Sequence, residues 1–340
     1  MREVLVTGGA GFIGSNFVRY ALAAHDDWRV TTLDKLTYAG RLENLASVAD
    51  HPRHRFVKGD IVDAAVSGPL VEAADLVVHF AAETHVDRSL QSAGAFITTD
   101  VQGTFVLLEA ARRAPGLRRF VQISTDEVYG SNEQGLSRET DELRPRNPYS
   151  ASKAAADRLA YSYWASFDVP VVITRASNNY GPNQFPEKVI PLFTTNALDN
   201  RPVPLYGDGG NVRDWLHVDD HCRAIDLLLE TGVPGETYNV GGGNEVRNID
   251  LTKRILALAG RDESLIAPVA DRQGHDRRYA LDTAKLRGLG WRPEVAFDEG
   301  LARTVAWYRA NEAWWRPIRD EDTAFRAYYQ AQYEGRAPRA

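Results

Sequence analysis

The sequence predicts an α/β fold, a doubly wound parallel sheet of the Rossmann type with a smaller, discontinuous, mixed α/β second domain. First, short apolar runs alternate with helix-length segments as far as Arg175. Near-continuous apolar strands are typical of a parallel sheet covered on both faces, and right-handed crossovers make it doubly wound. Second, a glycine-rich turn follows the first run. Third, the composition shifts after Arg175 towards Pro, Asn and Gly.

The composition is that of an ordinary globular protein and excludes several classes. The 340 residues contain 40 Lys+Arg and 46 Asp+Glu, a net charge of −6, with 44% hydrophobic and 25% charged residues, too apolar for a disordered chain. The mild acidity argues against nucleic acid as a partner. No apolar run approaches the ~20 residues of a membrane span, and the start lacks signal-peptide features. We therefore expect a cytoplasmic protein with no membrane partner. The single cysteine, Cys222, excludes an intramolecular disulfide and a multi-cysteine metal site, and we expect no metal.

The apolar runs and the helical patterns place the elements in order. Strands are predicted at residues 4–7, 30–33, 56–59, 76–81, 120–124, 171–174, 214–218 and 237–240. Helices are predicted near residues 15–24, 189–198, 221–231, 251–259 and 301–311. We expect residues 1–177 with 210–243 to form the sheet domain and 178–209 with 244–340 to form the second domain, with a loose tail over 334–340.

The turn after the first strand has the spacing of a dinucleotide-binding turn. Gly8, Gly11 and Gly14 would allow a tight turn, close approach of the backbone to a pyrophosphate, and close helix packing, while the helix N-terminus favours the phosphate charge. The second strand ends on Asp34, whose carboxylate can accept hydrogen bonds from an adenosine ribose and would repel a 2′-phosphate. The pattern predicts NAD rather than NADP. The alternatives are a plain strand–helix turn and a surface Asp34.

Tyr149 and Lys153 lie four residues apart at the start of an alanine-rich helix, so they share one face. A nearby ammonium favours phenolate and lowers the pKa of a tyrosine. The pair is therefore predicted to act as a base that takes a hydroxyl proton during hydride transfer. A surface Tyr and Lys are the alternative.

The fifth strand ends in the motif STDEVYG, residues 124–130. Together with TGGAGFIGS, LDKLTYAG, HFAAETHVDRS, PYSASKA, NNYGPNQFPEKVIPL, VRDWLHVDDHCRA and GHDRRYALD, this motif resembles the extended short-chain dehydrogenase/reductase superfamily. More narrowly, the chain resembles the dTDP-glucose 4,6-dehydratases from Arg2 to roughly Trp307. The adjacent Asp and Glu, FPEKVIPL and GHDRRY are the stretches most specific to the dehydratases.

The resemblance implies how the motif would work on dTDP-glucose. Thr125 would hydrogen-bond the sugar's 4-oxygen, and Tyr149 would take the 4-hydroxyl proton while NAD takes the hydride from carbon 4. Glu127 would then remove the proton on carbon 5, and Asp126 would protonate the departing 6-hydroxyl. The hydride would return to carbon 6, which leaves dTDP-4-keto-6-deoxyglucose and a regenerated, tightly retained NAD. Neighbours in a strand point to opposite faces, so both acids reach one sugar only if the backbone leaves strand geometry near Asp126.

The resemblance also implies which residues bind the two ligands. Catalysis and the NAD site would use residues at the strand ends and on the catalytic helix: Thr125, Asp126, Glu127, Tyr149 and Lys153 for catalysis, and Gly8, Gly11, Phe12, Ile13, Gly14, Asp34, Lys35, Thr37, Asp60, Ile61, Ala81, Ala82, Thr99, Tyr149, Lys153 and Asn179 for NAD. The nucleotide sugar would contact Glu83, Thr84, His85, Thr125, Asn178, Lys188, Val189, Pro204, Tyr206, Arg213, Asn248, Arg272 and His275. A hydrogen-bonded loop histidine is the alternative for His85.

Three other functions remain open at this stage: an NAD-dependent nucleotide-sugar 4-epimerase, a dehydratase of another sugar nucleotide, and a non-catalytic dinucleotide sensor. The apolar helices near residues 96–112 and 150–167 match a family dimer interface, so we expect a homodimer. Three positions depart from the family pattern, one of them His217, where a Tyr is common. Asp100 replaces the usual Asn and is expected to weaken a structural hydrogen bond, since a carboxylate cannot donate as an amide does. Gln273 replaces a Pro and is expected to loosen its loop.

Overall fold

The computed structural model describes residues 1–272 and 274–333, so the predictions for Gln273 and for residues 334–340 lie outside the described residues. The strands within these ranges are β1 (Arg2–Thr7), β2 (Trp28–Asp34), β3 (His54–Lys58), β4 (Leu76–His79), β5 (Arg119–Thr125), β6 (Val171–Ala176), β7 (Asn178–Tyr180), β8 (Val203–Tyr206), β9 (Val212–His217), β10 (Thr237–Val240), β11 (Glu245–Arg247) and β12 (Ile266–Val269). All eight predicted strands are present.

Seven of the strands form one parallel sheet in the order β10-β6-β5-β4-β1-β2-β3. Every neighbouring pair in it is parallel, so the predicted doubly wound fold is confirmed. The direction of winding reverses between β1 and β4. The carboxyl ends of these strands therefore border the crevice in which such sheets bind their ligands.

The helices within the described ranges are α1 (Phe12–Ala24), α2 (Ala64–Glu72), α3 (Val86–Gln91), α4 (Gly94–Phe96), α5 (Thr104–Ala111), α6 (Pro148–Phe167), α7 (Val189–Leu198), α8 (Val218–Thr231), α9 (Asn248–Ala259), α10 (Ala284–Gly288), α11 (Phe297–Ala310), α12 (Glu312–Arg316) and α13 (Thr323–Tyr333). Three 3₁₀ segments, Leu42–Val48, Asp126–Tyr129 and Glu263–Leu265, and two π-helical segments, Ile97–Gly103 and Pro317–Glu321, complete the regular structure. None of these helices is both long and apolar enough to cross a bilayer.

The sheet is buried on both faces, as its apolar strands require. On one face, α1 and α8 pack together over a cluster that contains Phe17, Trp28 and Ile225. On the other face, α2, α5 and α6 pack over a cluster that contains Leu107 and Phe120. The same side chains that make the strands apolar thus hold the two helical layers against the sheet.

A third, smaller apolar cluster lies around Phe193, Trp215 and Leu251. It is built from a three-stranded sheet, β11-β9-β7, and a two-stranded sheet, β12-β8. β9 falls in the segment predicted for the first domain, yet it pairs with β7 and β11 from the other segments. Conversely, Leu286 and Trp291 pack into the cluster of α8. The chain segments therefore interleave, and the domain division stays a prediction.

Candidate active site

The turn between β1 and α1 can be made only with glycine at two positions. Gly8 has φ +70°, and a Cβ there would lie 2.5 Å from the backbone nitrogen of Ala81. A Cβ on Gly14 would lie 2.3 Å from the Gly8 carbonyl oxygen. α1 starts at Phe12 without an acidic residue in its first turn, so its free N–H groups and dipole favour an anion. The turn is a cradle of the kind that holds a pyrophosphate.

Asp34 is the last residue of β2, and its carboxylate is held in place by the backbone. Oδ2 accepts a hydrogen bond from the Ala10 N–H (2.9 Å) and Oδ1 accepts one from the Leu36 N–H (2.8 Å). Burial raises the pKa of Asp34, while these two bonds oppose the rise. Beside it, Lys35 forms an ion pair with Asp60 (2.5 Å). The two backbone hydrogen bonds thus fix the orientation of the Asp34 carboxylate at the edge of the crevice.

One cavity brings together every predicted cofactor residue, all five predicted catalytic residues and some predicted substrate residues. The predicted residues that line it are Gly8, Gly11, Phe12, Ile13, Gly14, Asp34, Lys35, Thr37, Asp60, Ile61, Ala81, Ala82, Glu83, Thr84, Thr99, Thr125, Asp126, Glu127, Tyr149, Lys153, Asn178, Asn179 and Lys188. They come from the ends of parallel strands and from α6, which explains why residues far apart in sequence meet here.

The backbone leaves strand geometry at Asp126, as the acidic pair requires. β5 ends at Thr125, and a 3₁₀ turn spans Asp126–Tyr129. The Glu127 N–H donates to Thr125 Oγ1 (3.3 Å), and Thr125 Oγ1 lies 3.2 Å from Asp126 Oδ1. The Thr125 hydroxyl also faces Tyr149, whose pKa it lowers. The threonine therefore links the two acids to the tyrosine.

The two adjacent carboxyls have different electrostatic surroundings. Burial raises the pKa of Asp126 well above its usual value, and the Glu127 and Asp214 carboxylates raise it further. Burial also raises the pKa of Glu127, but three cations oppose the rise: Arg272, Arg213 and Lys188. Arg213 acts on Asp126 too, more weakly than the two carboxylates. Asp126 is the group that holds a proton, and Glu127 is the group that ionises first.

The prediction that Lys153 gives Tyr149 a lowered pKa is wrong for the protein residues alone. The Lys153 ammonium donates to the Ile123 carbonyl (2.6 Å), and burial lowers the pKa of this lysine. The pKa of Tyr149 is raised well above its usual value by burial, and the Glu127 and Asp100 carboxylates add to the rise. The negative charges and the lost hydration outweigh the ammonium, so a phenolate needs a further positive charge in the site.

A second group of predicted substrate residues lies beyond the cavity. The Arg272 guanidinium is 3.6 Å from Asp87 Oδ1 and 5.8 Å from the centre of the Tyr206 ring. The His275 ring lies edge-on to Tyr206 at 6.0 Å, and Arg213 donates to the Asp276 carbonyl (2.9 Å). Because Arg213 and Arg272 both act on Glu127, this group adjoins the catalytic acids. Its two arginines and one aromatic ring suit a diphosphate and a base.

The structure does not bring four further predicted substrate residues into the cavity. His85 is buried, with its ring edge-on to Tyr328 at 5.5 Å, and burial lowers its pKa well below the usual value. Val189 begins α7, Pro204 lies in β8 beside a second cavity, and Asn248 begins α9. The alternative reading of His85 as a loop histidine agrees with its burial and neutrality.

The lining residues that sequence reasoning missed include Tyr38, Phe185 and His221. Tyr38 donates to Glu187 (2.9 Å), which Arg88 also binds (2.8 Å), and the Tyr38 ring lies edge-on to Phe185. His221 Nδ1 lies 2.9 Å from Asn179 Oδ1. The stretches LTYAG and VDDHCRA contain Tyr38 and His221, but no local pattern shows that they face the cavity.

The cavity contains buried polar atoms that have no partner within the described chain. They include Asp126 Oδ2, Asn178 Oδ1, Gln184 Oε1 and His221 Nε2. Because buried polar groups are nearly always hydrogen-bonded, these atoms indicate a polar ligand. Together with the glycine cradle and the Asp34 carboxylate, they show that the residues present fit NAD.

Comparisons with known proteins agree with this site. The GDP-mannose 4,6 dehydratase family matches residues 5–304. A dTDP-glucose 4,6-dehydratase from Streptomyces antibioticus is 56% identical over 323 residues, which cover 93% of this chain and 95% of the relative. The crystal structure of the dTDP-glucose 4,6-dehydratase DesIV from Streptomyces venezuelae, with NAD and TDP bound, has 54% identity and a TM-score of 0.91 and covers 93% of this chain and 99% of that one.

A UDP-glucose 4-epimerase from Thermus thermophilus, solved with NAD, is more distant. It has 34% identity and a TM-score of 0.83, and it covers 91% of this chain and 99% of that one. The fold is thus common to dehydratases and epimerases, whereas the higher identities are with dehydratases. The chain therefore belongs to the dTDP-glucose 4,6-dehydratase family within the extended short-chain dehydrogenase/reductase superfamily.

Proposed function

We propose that the chain is an NAD-dependent lyase that converts dTDP-glucose to dTDP-4-keto-6-deoxyglucose and water. The observation that carries this proposal is the pair Asp126 and Glu127, adjacent in one turn yet unequal in charge surroundings. An elimination needs one group that gives a proton and one that takes a proton within the same site. The pair lies beside Thr125 and Tyr149, which suit the oxidation step that precedes elimination.

Tyr149 and Thr125 act at the sugar's 4-hydroxyl. Tyr149 takes its proton, and Thr125, whose hydroxyl faces Tyr149, orients the 4-oxygen. NAD supplies the hydride acceptor at carbon 4, the hydride donor to carbon 6 and, in its oxidised form, a positive charge. Lys153, anchored on Ile123, adds positive charge on the same helix face.

The acidic pair performs the elimination. Glu127 removes the proton that the 4-ketone acidifies on carbon 5 and later returns a proton there. Asp126 gives its proton to the 6-hydroxyl, which leaves as water. The charge distribution supports these roles, because the cations around Glu127 keep it ionisable while burial and two carboxylates keep Asp126 protonated.

The nucleotide is assigned mainly to residues of the predicted second domain, 178–209 with 244–340, together with Arg213 from the segment predicted for the first domain. Arg213 and Arg272 hold the diphosphate, His275 and Asn248 complete that contact, and Tyr206, Pro204, Lys188 and Val189 surround the thymine. Lys188 donates to the Thr84 carbonyl (2.6 Å), and this bond supports a link between the base site and the sugar site. Glu83, Thr84 and Asn178, which line the cavity, are assigned to the sugar.

The experiment is mass spectrometry of dTDP-glucose incubated with the purified protein, with and without added NAD. We expect the loss of one water with no net NADH, and dehydration without added NAD if the cofactor co-purifies. A product of unchanged mass that separates as the hexose epimer would indicate the 4-epimerase, which needs no acid/base pair. Turnover of another sugar nucleotide alone would show a different dehydratase, and ligand binding without turnover a sensor.

A homodimer is also part of the proposal. Ile97 and Phe105 are 55% and 46% exposed, and Tyr161 and Phe167 on the neighbouring α6 are exposed as well. The facing surface of α6 includes the small exposed residues Ala151, Ala155 and Ser162, which allow close helix contact. Exposed apolar residues on two adjacent helices indicate an interaction face, and a second copy would bury both in a four-helix contact.

A further inference from the structure

Asp100 is a buried carboxyl that joins the loop after β4 to the helix that carries Tyr149. It lies in the π-helical segment Ile97–Gly103 and is 1% exposed. Oδ1 accepts a hydrogen bond from the Glu83 N–H (2.8 Å), and Oδ2 lies 2.6 Å from Ser152 Oγ. Both carboxyl oxygens therefore have close polar partners. The sequence predicts that Asp100 weakens a hydrogen bond here, and the geometry does not show such a loss.

If Asp100 is ionised, the hydroxyl of Ser152 has too few protons for the two short contacts that it makes. Ser152 Oγ lies 2.6 Å from Asp100 Oδ2 and 2.8 Å from the Tyr149 carbonyl oxygen. A carbonyl oxygen and a carboxylate only accept, and a hydroxyl has one proton to give. With an ionised Asp100, one of these two short contacts has no proton. With a proton on Oδ2, Asp100 donates to Ser152, Ser152 donates to Tyr149, and every group is satisfied.

We propose that in mildly acidic solution Asp100 carries a proton in the folded chain and donates it to Ser152, so that a carboxylic acid here performs the hydrogen bonding of an amide. Oδ1 accepts and protonated Oδ2 donates, which is the pattern of an asparagine side chain. Asp100 is then a positioning residue. It fixes the Glu83 backbone on one side and the first turn of α6, with Tyr149 and Lys153, on the other.

The surroundings decide when this proton is lost. The charged and titratable groups that face Asp100 are Lys153 and Tyr149 on α6 and Glu83 in the loop; Asp157, further along α6, is paired with Arg175. His79 on β4 is linked to this segment through Thr104 (3.0 Å) and stays neutral, because burial lowers its pKa to about 3. Burial raises the pKa of Asp100 to about 6, against the Lys153 ammonium and against the hydrogen bonds that Ser152 and the Glu83 N–H can donate to the ionised form. The proton is therefore held in mildly acidic solution and leaves near neutral pH.

The direct test is infrared spectroscopy of the intact protein and of Asp100→Asn, which keeps the shape and donates without an acid proton. We expect the wild-type minus variant spectrum to contain the carbonyl band of a protonated carboxyl at about pH 5, with that band replaced by carboxylate bands near pH 8. A spectrum that contains only carboxylate bands at about pH 5 would overturn the proposal. This measurement needs no turnover, so its outcome is separate from that of the proposed function.

The catalytic consequence, which rests on the proposed function, is tested with a second variant. Asp100→Asn and Asp100→Ala both remove the charge, but only the amide keeps the two hydrogen bonds. At about pH 6 we expect kcat of Asp100→Asn to stay within about threefold of wild type and kcat of Asp100→Ala to fall about tenfold. Above neutral pH, wild type should lose activity relative to Asp100→Asn. An equal loss in both variants would show that the negative charge is what matters and would refute the protonated role.

Discussion

Asp126 and Glu127 illustrate how position rather than residue type divides the work between two carboxyls. The sequence predicts both acids and their roles from a motif, but only the folded chain places Arg272, Arg213 and Lys188 around Glu127. These cations come from distant segments of the chain, so no local pattern could indicate them. The predicted lowering of the Tyr149 pKa by Lys153 fails for the same reason. Burial and carboxylates from distant segments raise this pKa by more than the lysine four residues away lowers it.

Replacing Glu127 with Gln should stop dehydration and spare nucleotide binding. The amide keeps the size of the side chain but cannot accept the carbon-5 proton, so kcat should fall about 10²–10⁴-fold, the range for loss of a general base. Steady-state turnover by mass spectrometry and titration of NAD and TDP by calorimetry measure the two effects. Full turnover by this variant would remove Glu127 from the role of base.

Replacing Asp126 with Asn should stabilise the protein at higher pH. The raised pKa means that the folded chain holds this proton to a higher pH than the unfolded chain does, so folding stability falls as pH rises from about 4. Each unit of pKa difference corresponds to about 1.4 kcal/mol. Urea unfolding should find the variant equal to wild type near pH 4 and more stable near pH 8.

The exposed Asp50 offers a control for this comparison, because its carboxylate is solvated in both states. Asp50→Asn, at an exposed position, should change the free energy of unfolding little. If Asp126→Asn ran parallel to wild type across the pH range, the proton on Asp126 would not be held by folding.

At the scale of elements, helix α6 shows what the sequence predicts well. Asn147 and Ser150 form a capping box in which the Asn147 side chain accepts from the Ser150 N–H (2.9 Å). Such local signals depend on near neighbours, and the helix over 189–198 and the strand over 237–240 are found with the predicted bounds. The terminal helix α13 was not predicted, because its residues face partners such as His85 and Tyr206, which are remote in the sequence.

Replacing Arg175 with Met should destabilise the join between β6, α6 and the catalytic turn. The guanidinium donates to Asp157 (2.8 Å) and to the Tyr129 hydroxyl (2.8 Å), and both charged groups are almost fully buried. Removal of one partner of a buried pair costs about 3–5 kcal/mol, and we expect about 3 because Arg158 keeps a contact with Asp157. Chemical denaturation measures this loss.

The double variant Arg175→Met with Asp157→Leu tests the cause of that loss. It removes both charges, so it should recover much of the stability that the single variant loses. If the double variant were as unstable as the sum of the two single variants, packing rather than an uncompensated charge would explain the effect.

At the scale of the whole molecule, the predicted site divides into two parts. The cofactor and catalytic residues meet in one cavity because they follow parallel strands whose carboxyl ends share an edge. Other predicted substrate residues, such as Tyr206 and Arg272, lie instead beside the third cluster, around Phe193 and Trp215, where Tyr206 contacts Tyr333. Their placement depends on how two interleaved sets of segments pack, which neither periodicity nor motif spacing specifies. The cofactor and catalytic residues were predictable because the carboxyl ends of parallel strands share one edge of a sheet. No comparable rule places the remaining substrate residues.

The exposed apolar face formed by the π-helical segment, α5 and α6 is expected to be the contact between two copies of the chain. If two copies bury Ile97 and Phe105 against each other, Phe105→Glu places a charge in an apolar contact and should convert a dimer to a monomer. Light scattering after size exclusion measures the mass directly.

The matched control is Val233→Glu, at an exposed apolar residue after α8, which should leave the mass unchanged. A monomeric wild type, or a dimeric Phe105→Glu, would show that this face is not the contact between copies. Because α6 also carries Tyr149 and Lys153, we expect loss of the dimer to lower turnover as well as mass.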